Sequence, residues 1–366
     1  MRVFYDHQAF SLQDYGGVSR IFSELVTGIN KRGHDAHLSL LYSNNTHLKE
    51  KNIAPAKPFK NSPFLKKRKI LYAVNHAYNV LDIRKNAFDV YHPTYYSPNL
   101  IKYVNNKPIV VTFHDMIHEK LSGKFQELKA GSKLIAQKKS IVSKATHIIA
   151  VSENTKKDVI EIYGVEPEKI KVVHLASSFE SLVSDNNITG HPPYLLYVGN
   201  RGLYKNFIPF LKAIAPLLLK RKISFICAGG KEFNKEEKDV IVALRVEDLI
   251  HQEAVNDTKL AQLYGNALAF VFPSLYEGFG IPVLEAFACN CPCVLSNTSS
   301  LPEVAQNTAV YMDPYDAESM YYAVETVLND SSVRNDLAIR GKVRANDFSW
   351  DKHVDETLDL YTQLLK

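Results

Sequence analysis

The sequence is poor in cysteine and tryptophan and has no long run of apolar residues. Its 366 residues include 4 cysteines and 1 tryptophan. So few cysteines exclude a small disulfide-stabilised secreted domain. No stretch approaches the about 18 consecutive apolar residues typical of a membrane-spanning helix. The first residues become charged at once and lack an apolar core, so we expect no signal peptide. These absences favour a cytoplasmic protein.

Three of the cysteines lie close together, as Cys289, Cys291 and Cys293. Structural zinc sites usually combine two CxxC-type pairs, or cysteines with histidines, and neither pattern occurs nearby. We therefore expect no metal site and interpret these cysteines as small buried residues beside a strand.

Positive charge is in excess, with a formal net charge of +5. One segment, residues 57–69, interleaves basic residues with Phe59, Phe64 and Leu65; its basic members are Lys57, Lys60, Lys66, Lys67, Arg68 and Lys69. Such a segment suits an anionic membrane surface or a phosphate-bearing lipid, but it is equally typical of a solvated loop. No recognised nucleic-acid-binding module is visible, so nucleic acid is the weaker expectation.

Short apolar runs alternate with helical stretches throughout, which indicates βαβ units and parallel sheets. We expect strands near residues 3–5, 36–41, 90–91, 109–113, 147–151, 170–174, 194–198, 223–228, 269–272 and 293–296, with helices at 18–31, 131–145 and 350–365. The pattern restarts after a polar stretch, which predicts two doubly wound domains separated by a cleft. The predicted division is an N-terminal domain at 1–178, a linker at 179–193, a second domain at 194–345 and a terminal helix at 346–366.

The strongest local signal lies at residues 273–286, where a strand ends in a Gly278-x-Gly280 turn and a helix begins near Pro282. Glycines let a ligand approach the backbone closely, and the start of a helix attracts phosphate. Glu277 and Glu285 flank this turn, and carboxylates can accept paired hydrogen bonds from sugar hydroxyls. A dinucleotide-binding fingerprint is disfavoured because Val283 occupies the place of its third glycine.

Glu277 and Glu285, with seven residues between them, resemble the E-x7-E motif of the retaining glycosyltransferases of family 4. The resemblance covers nearly the whole chain. It includes the Gly-Gly-Val-Ser-Arg run at 16–20, His-Asp at 114–115, Val-Ser-Glu-Asn-Thr at 151–155, residues 199–206 and Phe-Ser-Trp at 348–350. Within the family the chain looks most like the mannosyltransferase-type enzymes of bacterial O-antigen and capsule assembly.

This resemblance implies a GT-B fold, in which two Rossmann-like domains face each other across a cleft, and a nucleotide-sugar donor with no cofactor. Glu285 would hold the ribose and Glu277 the transferred sugar. The backbone of Phe279, Gly280 and Ile281 would contact sugar and phosphate. Backbone groups near Gly230 and Val255 would contact the base.

The family also places an arginine and a lysine after the first strand of the second domain, where they neutralise the departing diphosphate. Lys205 falls in register here, whereas Arg201 lies one place later than the commonest pattern, where Asn200 stands. Either cation could instead be an exposed surface residue. The chain has no Asp-x-Asp sequence, which is the metal-binding motif of the other main glycosyltransferase architecture. We therefore expect metal-independent catalysis.

In the first domain, Gly16 and Gly17 precede a helix whose start would suit a phosphate, although a plain strand-to-helix turn is an alternative. By resemblance His114 would contact the donor sugar, supported by Asp115. His118 and Asn154 are further candidates nearby.

The family is retaining, which implies attack on the same face of the sugar, assisted by the leaving phosphate. Glu277 as a covalent nucleophile is the alternative. Other open interpretations are a GT-B nucleotide-sugar 2-epimerase, a phosphorylase, and a catalytically inactive binding protein. GDP-mannose is the first expectation for the donor, with UDP-sugars open. We expect the acceptor to be a glycan or a lipid-diphosphate-linked oligosaccharide at the inner face of the membrane.

Overall fold

The structure, a computed structural model, describes residues 1–53, 67–179 and 192–366. The basic residues Lys57, Lys60 and Lys66 and nearly all of the predicted linker lie outside these ranges. The chain divides into two compact units. The first contains Met1–Leu175 and Trp350–Lys366, and the second contains Ala176–Ser349.

The first unit is built on parallel strands that follow the order β2-β1-β3 and β4-β5-β6. A parallel bridge between Tyr91 and Ile109 joins the two sets. The strands are β1 (Arg2–Tyr5), β2 (Asp35–Leu38), β3 (Val90–His92), β4 (Val110–Phe113), β5 (His147–Ala150) and β6 (Ile170–Val172). Because β1 has β2 on one side and β3 on the other, the winding of the sheet reverses between β1 and β3.

Helices connect these strands, as the alternating pattern predicts. They are α1 (Gln8–Leu12), α2 (Gly17–Lys31), α3 (Thr46–Glu50), α4 (Lys67–Ile83), α5 (Ile117–Leu121), α6 (Ser132–Val142) and α7 (Glu153–Tyr163). Local chemistry fixes the ends of α7: the Ser152 side chain accepts a hydrogen bond from the Thr155 amide, and Gly164 ends the helix in the left-handed conformation.

The second unit has one six-stranded parallel sheet with the order β12-β11-β10-β7-β8-β9. Its strands are β7 (Tyr194–Val198), β8 (Ser224–Ala228), β9 (Ile250–Glu253), β10 (Ala269–Phe272), β11 (Cys293–Ser296) and β12 (Val310–Met312). Here the winding reverses between β7 and β10. The α/β class and the Rossmann-like build of both units are confirmed. The sequence pattern missed β9, in which three of the four residues are polar, and β12, which is only three residues long.

The helices of the second unit pack on both sides of its sheet. They are α8 (Phe207–Arg221), α9 (Lys235–Ala243), α10 (Asp257–Asn266), α11 (Ile281–Ala288), α12 (Leu301–Ala305), α13 (Ala317–Asn329) and α14 (Ser331–Ala345). One large apolar core includes residues of β7, β8, β10, α8 and α13, among them Leu195, Phe210, Phe225 and Val324. This core fixes the strand ends from which the candidate site is built.

The last helix, α15 (Trp350–Leu364), returns to the first unit. The Tyr361 hydroxyl lies 2.9 Å from the Tyr5 hydroxyl and 2.5 Å from Nδ1 of His92, and all three side chains are buried. A helix that follows the second unit in sequence therefore completes the core of the first.

All four cysteines, Cys227, Cys289, Cys291 and Cys293, are buried and carry free thiols. Burial raises the pKa of each, that of Cys289 to about 12. Asn290 has φ 55°, in the left-handed region that asparagine tolerates better than most other residues. Among the residues described, no helix has the length and apolar character needed to cross a membrane.

Candidate functional site

The candidate site of the second unit lies at the carboxyl ends of β7 and β10, which are neighbours in the sheet. In open parallel sheets, ligands bind outside the strand ends at the point where the winding reverses. The loop after β7 carries Arg201 and Lys205, and the loop after β10 carries Glu277 and Gly280. The fold thus brings to one place two sequence motifs that are separated by about seventy residues in the chain.

Lys205 and Glu277 form the central contact of this site. The Lys205 ammonium donates to Glu277 Oε1 at 2.6 Å, and the side chains are 19% and 11% exposed. Lys205 also lies over the rings of Tyr204 and Phe272, at 5.1 and 5.3 Å from their centres. A cation held by a carboxylate and two aromatic faces has little freedom to move. It is therefore positioned before any ligand binds.

Glu285 lies on the first turns of α11 and is 8% exposed. The hydroxyl of buried Tyr264 donates to Glu285 Oε2 at 3.2 Å. Burial, followed by the nearby Glu285 carboxylate, raises the pKa of Tyr264 well above its ordinary value, so its hydroxyl remains a hydrogen-bond donor. This bond orients the Glu285 carboxylate.

The turn between Glu277 and α11 depends on Gly280, which has φ 106°. Most residues avoid this conformation, and a Cβ atom here would also lie 2.9 Å from Leu301 Cδ2. The Ser300 hydroxyl donates to the carbonyl oxygens of Glu277 and Phe279, and Ser299 Oγ accepts from the Glu277 amide. These bonds hold the predicted residues Gly278, Phe279, Gly280 and Ile281 in one defined turn at the start of α11.

Arg201 is placed differently from Lys205. It is 7% exposed, its Nε donates to Glu237 at 3.2 Å, and its Nη2 donates to the Lys231 carbonyl. The guanidinium packs 4.5 Å from the centre of the Phe233 ring. Its Nη1 atom is buried without a hydrogen-bond partner in the described part of the chain. Arg201 is therefore a buried residue with one unused donor, and not an exposed surface cation.

Gly230 and Val255 follow the adjacent strands β8 and β9. Gly230 has φ 67°, and a Cβ atom there would lie 3.0 Å from the Gly199 carbonyl and 3.2 Å from Arg201 Nη1. The turns after β7 and β8 thus touch, with the unused Arg201 donor beside them. Val255 is half-buried in the loop after β9.

In the first unit, Gly17 begins α2 and Gly16 caps it. Gly16 has an extended backbone, and the side chain of Gln13 accepts from the Ser19 amide at 3.1 Å. One of the amide groups at the start of α2 is therefore satisfied within the protein. The other predicted residue of this turn, Gly17, has open space where a side chain would stand.

His114 follows β4, as the sequence predicts, and its backbone amide donates to the Tyr96 hydroxyl at 2.9 Å. Its Nδ1 is buried and has no hydrogen-bond partner within residues 1–53, 67–179 and 192–366. Burial lowers the pKa of His114 to about 4, against the opposing charge of Asp115. At neutral pH the imidazole is therefore uncharged and retains a free ring nitrogen.

A buried lysine that the sequence did not point to supports His114 and Asp115. Lys138 is fully buried, and its ammonium donates to the Asp115 carbonyl at 2.8 Å and to Glu119 at 3.1 Å. Burial raises the pKa of Asp115, but the Lys138 charge and the Ile117 amide outweigh it and hold the pKa below its ordinary value. Asp115 thus remains ionised.

The remaining candidates of the first unit have structural contacts. His118 packs against Gly131, where a Cβ atom would lie 2.1 Å from the imidazole. The Asn154 amide donates to Asp158 at 3.1 Å within α7. Among the described residues, no group of three or more His, Cys, Asp or Glu side chains is arranged to hold a metal ion.

Sequence reasoning missed the residues that orient the predicted ones, namely Tyr204, Tyr264, Ser299, Ser300 and Lys138. A signal existed for the serines, which follow β11 directly and so belong to the same edge of the sheet as Glu277. Tyr264 and Lys138 lie on helices, among apolar residues, and nothing in their spacing separates them from core positions.

Two family models match the chain on either side of the boundary between the units. The model described as Glycosyltransferase Family 4 matches residues 15–176, and the one described as Glycosyl transferases group 1 matches residues 178–344. The two matches adjoin. They include every candidate residue named above.

The similarity to individual proteins agrees with the two family models. The chain is 28% identical over 332 residues to O-antigen chain mannosyltransferase B of Escherichia coli, covering 82% of each chain. It is 29% identical over 192 residues to O-antigen chain mannosyltransferase RfbU of Salmonella typhimurium, covering 52% of this chain and 53% of that protein. The solved structure of a sucrose-phosphate synthase from Thermosynechococcus elongatus superposes with a TM-score of 0.77 at 17% identity, covering 100% of this chain and 99% of that one. That last likeness supports the fold alone.

Proposed function

The chain belongs to the family 4 glycosyltransferases, and from this premise we propose that it is a retaining, metal-independent hexosyltransferase of surface polysaccharide synthesis. The donor is a nucleotide-sugar, with GDP-mannose as the first choice because the relatives that it resembles are named as mannosyltransferases. The acceptor is a glycan or a lipid-linked oligosaccharide.

The observation that carries this proposal is the Lys205–Glu277 ion pair beside the start of α11, with Glu285 on the same helix. The start of a helix and an adjacent cation suit a diphosphate. Glu285, whose one oxygen is bound by Tyr264, is suited to accept from ribose hydroxyls. Glu277 is suited to accept from hydroxyls of the transferred sugar.

In the proposed reaction, the bond between the anomeric carbon and the diphosphate oxygen breaks, and the leaving group takes the electron pair. An acceptor hydroxyl forms the new bond on the same face of the sugar, and its proton passes to the leaving phosphate. Lys205 and the backbone amides of Phe279, Gly280 and Ile281 stabilise the negative charge that develops on the diphosphate. The unused Nη1 donor of Arg201 and the neutral imidazole of His114 are available for further contacts with the donor.

Because protein groups supply the compensating charge, we propose that no metal ion is required. The test is transfer activity of the full chain in excess EDTA, with and without added magnesium. Full activity in EDTA supports the proposal. Activity that appears only on addition of magnesium contradicts it.

The donor is tested by a thermal-shift screen of GDP- and UDP-linked sugars, because a bound ligand stabilises the folded state according to its affinity. We expect the largest rise in melting temperature with GDP-mannose. A larger rise with a UDP-sugar would identify that UDP-sugar as the donor and would leave the assignment as a glycosyltransferase unchanged. Incubation with donor alone separates a transferase from a 2-epimerase, which would release an epimerised nucleotide-sugar without acceptor.

We also propose that the first unit contacts an anionic membrane surface through α4. Arg68 and Lys69 near its start are exposed, although Arg68 pairs with Asp14 at 2.7 Å, and Ile70, Val74 and Leu81 are exposed further along the helix. Basic and apolar side chains on one exposed helix favour the membrane interface. Replacing Lys66, Lys67, Arg68 and Lys69 by glutamate should abolish binding to vesicles that contain phosphatidylglycerol. Unchanged binding would refute this contact.

A further inference from the structure

Glu237 is a buried carboxylate on the first turn of α9 that belongs to none of the sequence motifs. Its side chain is 5% exposed and lies 3.2 Å from Nε of Arg201, whose side chain is 3% exposed. The two residues are 36 positions apart, and they meet because β7 and β8, the strands that precede them, are neighbours in the sheet. Removing water from two charges offsets most of their attraction, so stability alone does not account for this ion pair.

Both carboxylate oxygens of Glu237 accept hydrogen bonds. Oε1 accepts from Arg201 Nε at 3.2 Å, and Oε2 accepts from the backbone amide of Asn234 at 2.8 Å. The Asn234 side chain in turn accepts from the Glu237 amide at 2.9 Å, which completes a capping box at the start of α9. The carboxylate is thus attached to the backbone of the helix start, and its rotation away from Arg201 would break this cap.

The Arg201 guanidinium is held at three points. Nε donates to Glu237, Nη2 donates to the carbonyl of Lys231, and Cζ lies 4.5 Å from the centre of the Phe233 ring. Because a guanidinium is planar, two fixed nitrogen atoms determine the direction of the third. Nη1 therefore has one position, and it has no hydrogen-bond partner among the residues that the structure describes.

The unpartnered Nη1 atom lies beside the turn that follows β8. A Cβ atom at Gly230 would lie 3.2 Å from Nη1, and Gly230 itself is exposed. Because glycine has no side chain, this turn leaves room within contact distance of Nη1, at the strand ends where parallel sheets bind their ligands. A buried donor without a partner is unfavourable unless a ligand or a water molecule accepts its hydrogen bond.

We propose that Glu237 is a positioning residue of the transferase, which holds Arg201 so that Nη1 donates a hydrogen bond to the bound nucleotide. This inference rests on the proposed function, since a nucleotide is the ligand expected at these strand ends. A donor that is fixed before the ligand arrives loses little freedom on binding, so a held guanidinium binds more tightly than a mobile one. Glu237 itself touches no ligand and acts through Arg201.

The test compares Glu237→Ala with Asn234→Ala, because both variants break the capping box but only the first releases Arg201. GDP and UDP are titrated into the full native chain by isothermal titration calorimetry, and the nucleotide that binds more tightly is then titrated into each variant. We expect Glu237→Ala to weaken binding about tenfold, because the hydrogen bond from Nη1 is lost. Asn234→Ala should keep the native affinity. Equal affinities of the two variants would overturn the proposal and leave the ion pair a structural contact.

A double variant shows whether Glu237 acts through Arg201. In an Arg201→Met background, Glu237→Ala should weaken binding no further, whereas additive losses would contradict the proposal. If Glu237→Ala does not fold, Glu237→Gln replaces it. Its single oxygen cannot serve both Arg201 and the Asn234 amide, so we expect a severalfold loss of affinity, and native affinity in this variant would overturn the proposal.

The same titrations separate this inference from the proposed function. A native chain that binds neither GDP nor UDP would contradict the proposed function and, with it, the role of Glu237. A native chain that binds one of them, together with a Glu237→Ala variant that binds as well as Asn234→Ala, would contradict the role of Glu237 alone.

Discussion

The Lys205 ammonium lies 2.6 Å from Glu277 Oε1. The two residues belong to the loops that follow β7 and β10, which are neighbours in the sheet but distant in the sequence. Each partner compensates the charge of the other in the unliganded protein. We therefore expect an arriving diphosphate to meet a cation that is already in place, and we expect Lys205 to share its hydrogen bonds between Glu277 and this ligand.

Replacing Lys205 by methionine should weaken nucleoside diphosphate binding at least about tenfold, because the variant loses a charge-assisted hydrogen bond. It should also lower the free energy of unfolding by about 3 kcal/mol, since Glu277 remains as a largely buried, unpaired carboxylate. Isothermal titration calorimetry and urea unfolding measure the two effects.

The control for this prediction is Lys85→Met. Lys85 is 67% exposed and pairs with Asp82 at 3.1 Å, but Asp82 keeps a second partner, His37, at 2.6 Å. The loss of Lys85 should therefore change stability by less than about 1 kcal/mol. The double variant Lys205→Met/Glu277→Gln should regain stability without regaining nucleotide binding. Native affinity in Lys205→Met would contradict the role assigned to this lysine.

Tyr264→Phe should reduce the affinity for the nucleotide-sugar severalfold, because Glu285 loses the hydroxyl that orients it. Tyr194→Phe is a matched control, since its hydroxyl is also buried and donates to the Leu263 carbonyl at 2.7 Å. Both variants should lose about 1 kcal/mol of stability. Only Tyr264→Phe should raise the KM for the donor. An equal KM in both variants would limit Tyr264 to a packing role.

Acid should destabilise the first unit selectively. Burial lowers the pKa of His7, His114 and His353 from 6.5 to about 4 and that of His92 to about 3. Between about pH 6.5 and 4 the unfolded chain therefore binds protons that the folded chain does not. Stability is complete above this window and falls through it by about 1.4 kcal/mol per pH unit for each histidine.

The chain offers a probe for this experiment, because its single tryptophan, Trp350, begins α15 and lies 5.6 Å from the His353 ring. Urea unfolding followed by tryptophan fluorescence at pH 7.5, 6 and 5 gives the slope. His353→Gln should reduce the slope of the free energy of unfolding against pH, and replacement of the exposed His251 should leave this slope unchanged. A free energy of unfolding that is independent of pH over this range would exclude the buried neutral histidines.

Lys138→Met should destabilise the first unit by about 3–5 kcal/mol, because Glu119 is left buried and without its cation. The neighbouring Lys139 is exposed on the same helix, and Lys139→Met should be nearly neutral. The fluorescence assay just described compares the two. Equal stability of the two variants would show that Lys138 does not hold the His114–Asp115 segment.

Tyr361→Phe tests the attachment of α15 to the first unit. It removes the hydroxyl shared by Tyr5 and His92, and we expect a loss of about 1–3 kcal/mol. Tyr322→Phe, at a position that is 60% exposed, is the control and should be neutral. The midpoint of thermal unfolding, recorded by Trp350 fluorescence, reports both changes.

The parts of the fold that the sequence predicts well are those with an apolar pattern of their own. The central strands β7, β8, β10 and β11 are nearly continuous apolar runs, whereas β9 contains the polar residues His251, Gln252 and Glu253 and gave no such signal. The terminal helix was predicted from its periodicity. Its attachment to the first unit depends on the Tyr5, His92 and Tyr361 hydrogen bonds, which join positions hundreds of residues apart.

In the candidate site, too, the sequence identifies some residues but not the contacts between them. Glu277, Gly280, Glu285 and Lys205 lie in short motifs with fixed spacing, so the sequence identifies them. The direct pairing of Lys205 with Glu277 and the burial of Arg201 against Glu237 arise from packing between loops. These contacts depend on the tertiary structure and leave no local pattern.

The burial of Cys227, Cys289, Cys291 and Cys293 has a practical consequence for experiments on this chain. Maleimides react with thiolates. Burial keeps these sulfur atoms out of solvent and raises their pKa values, so that they stay protonated. The native chain should therefore remain unlabelled. A cysteine introduced at an exposed position, such as Gln363→Cys, becomes the sole attachment point for a fluorophore, without prior removal of any natural thiol.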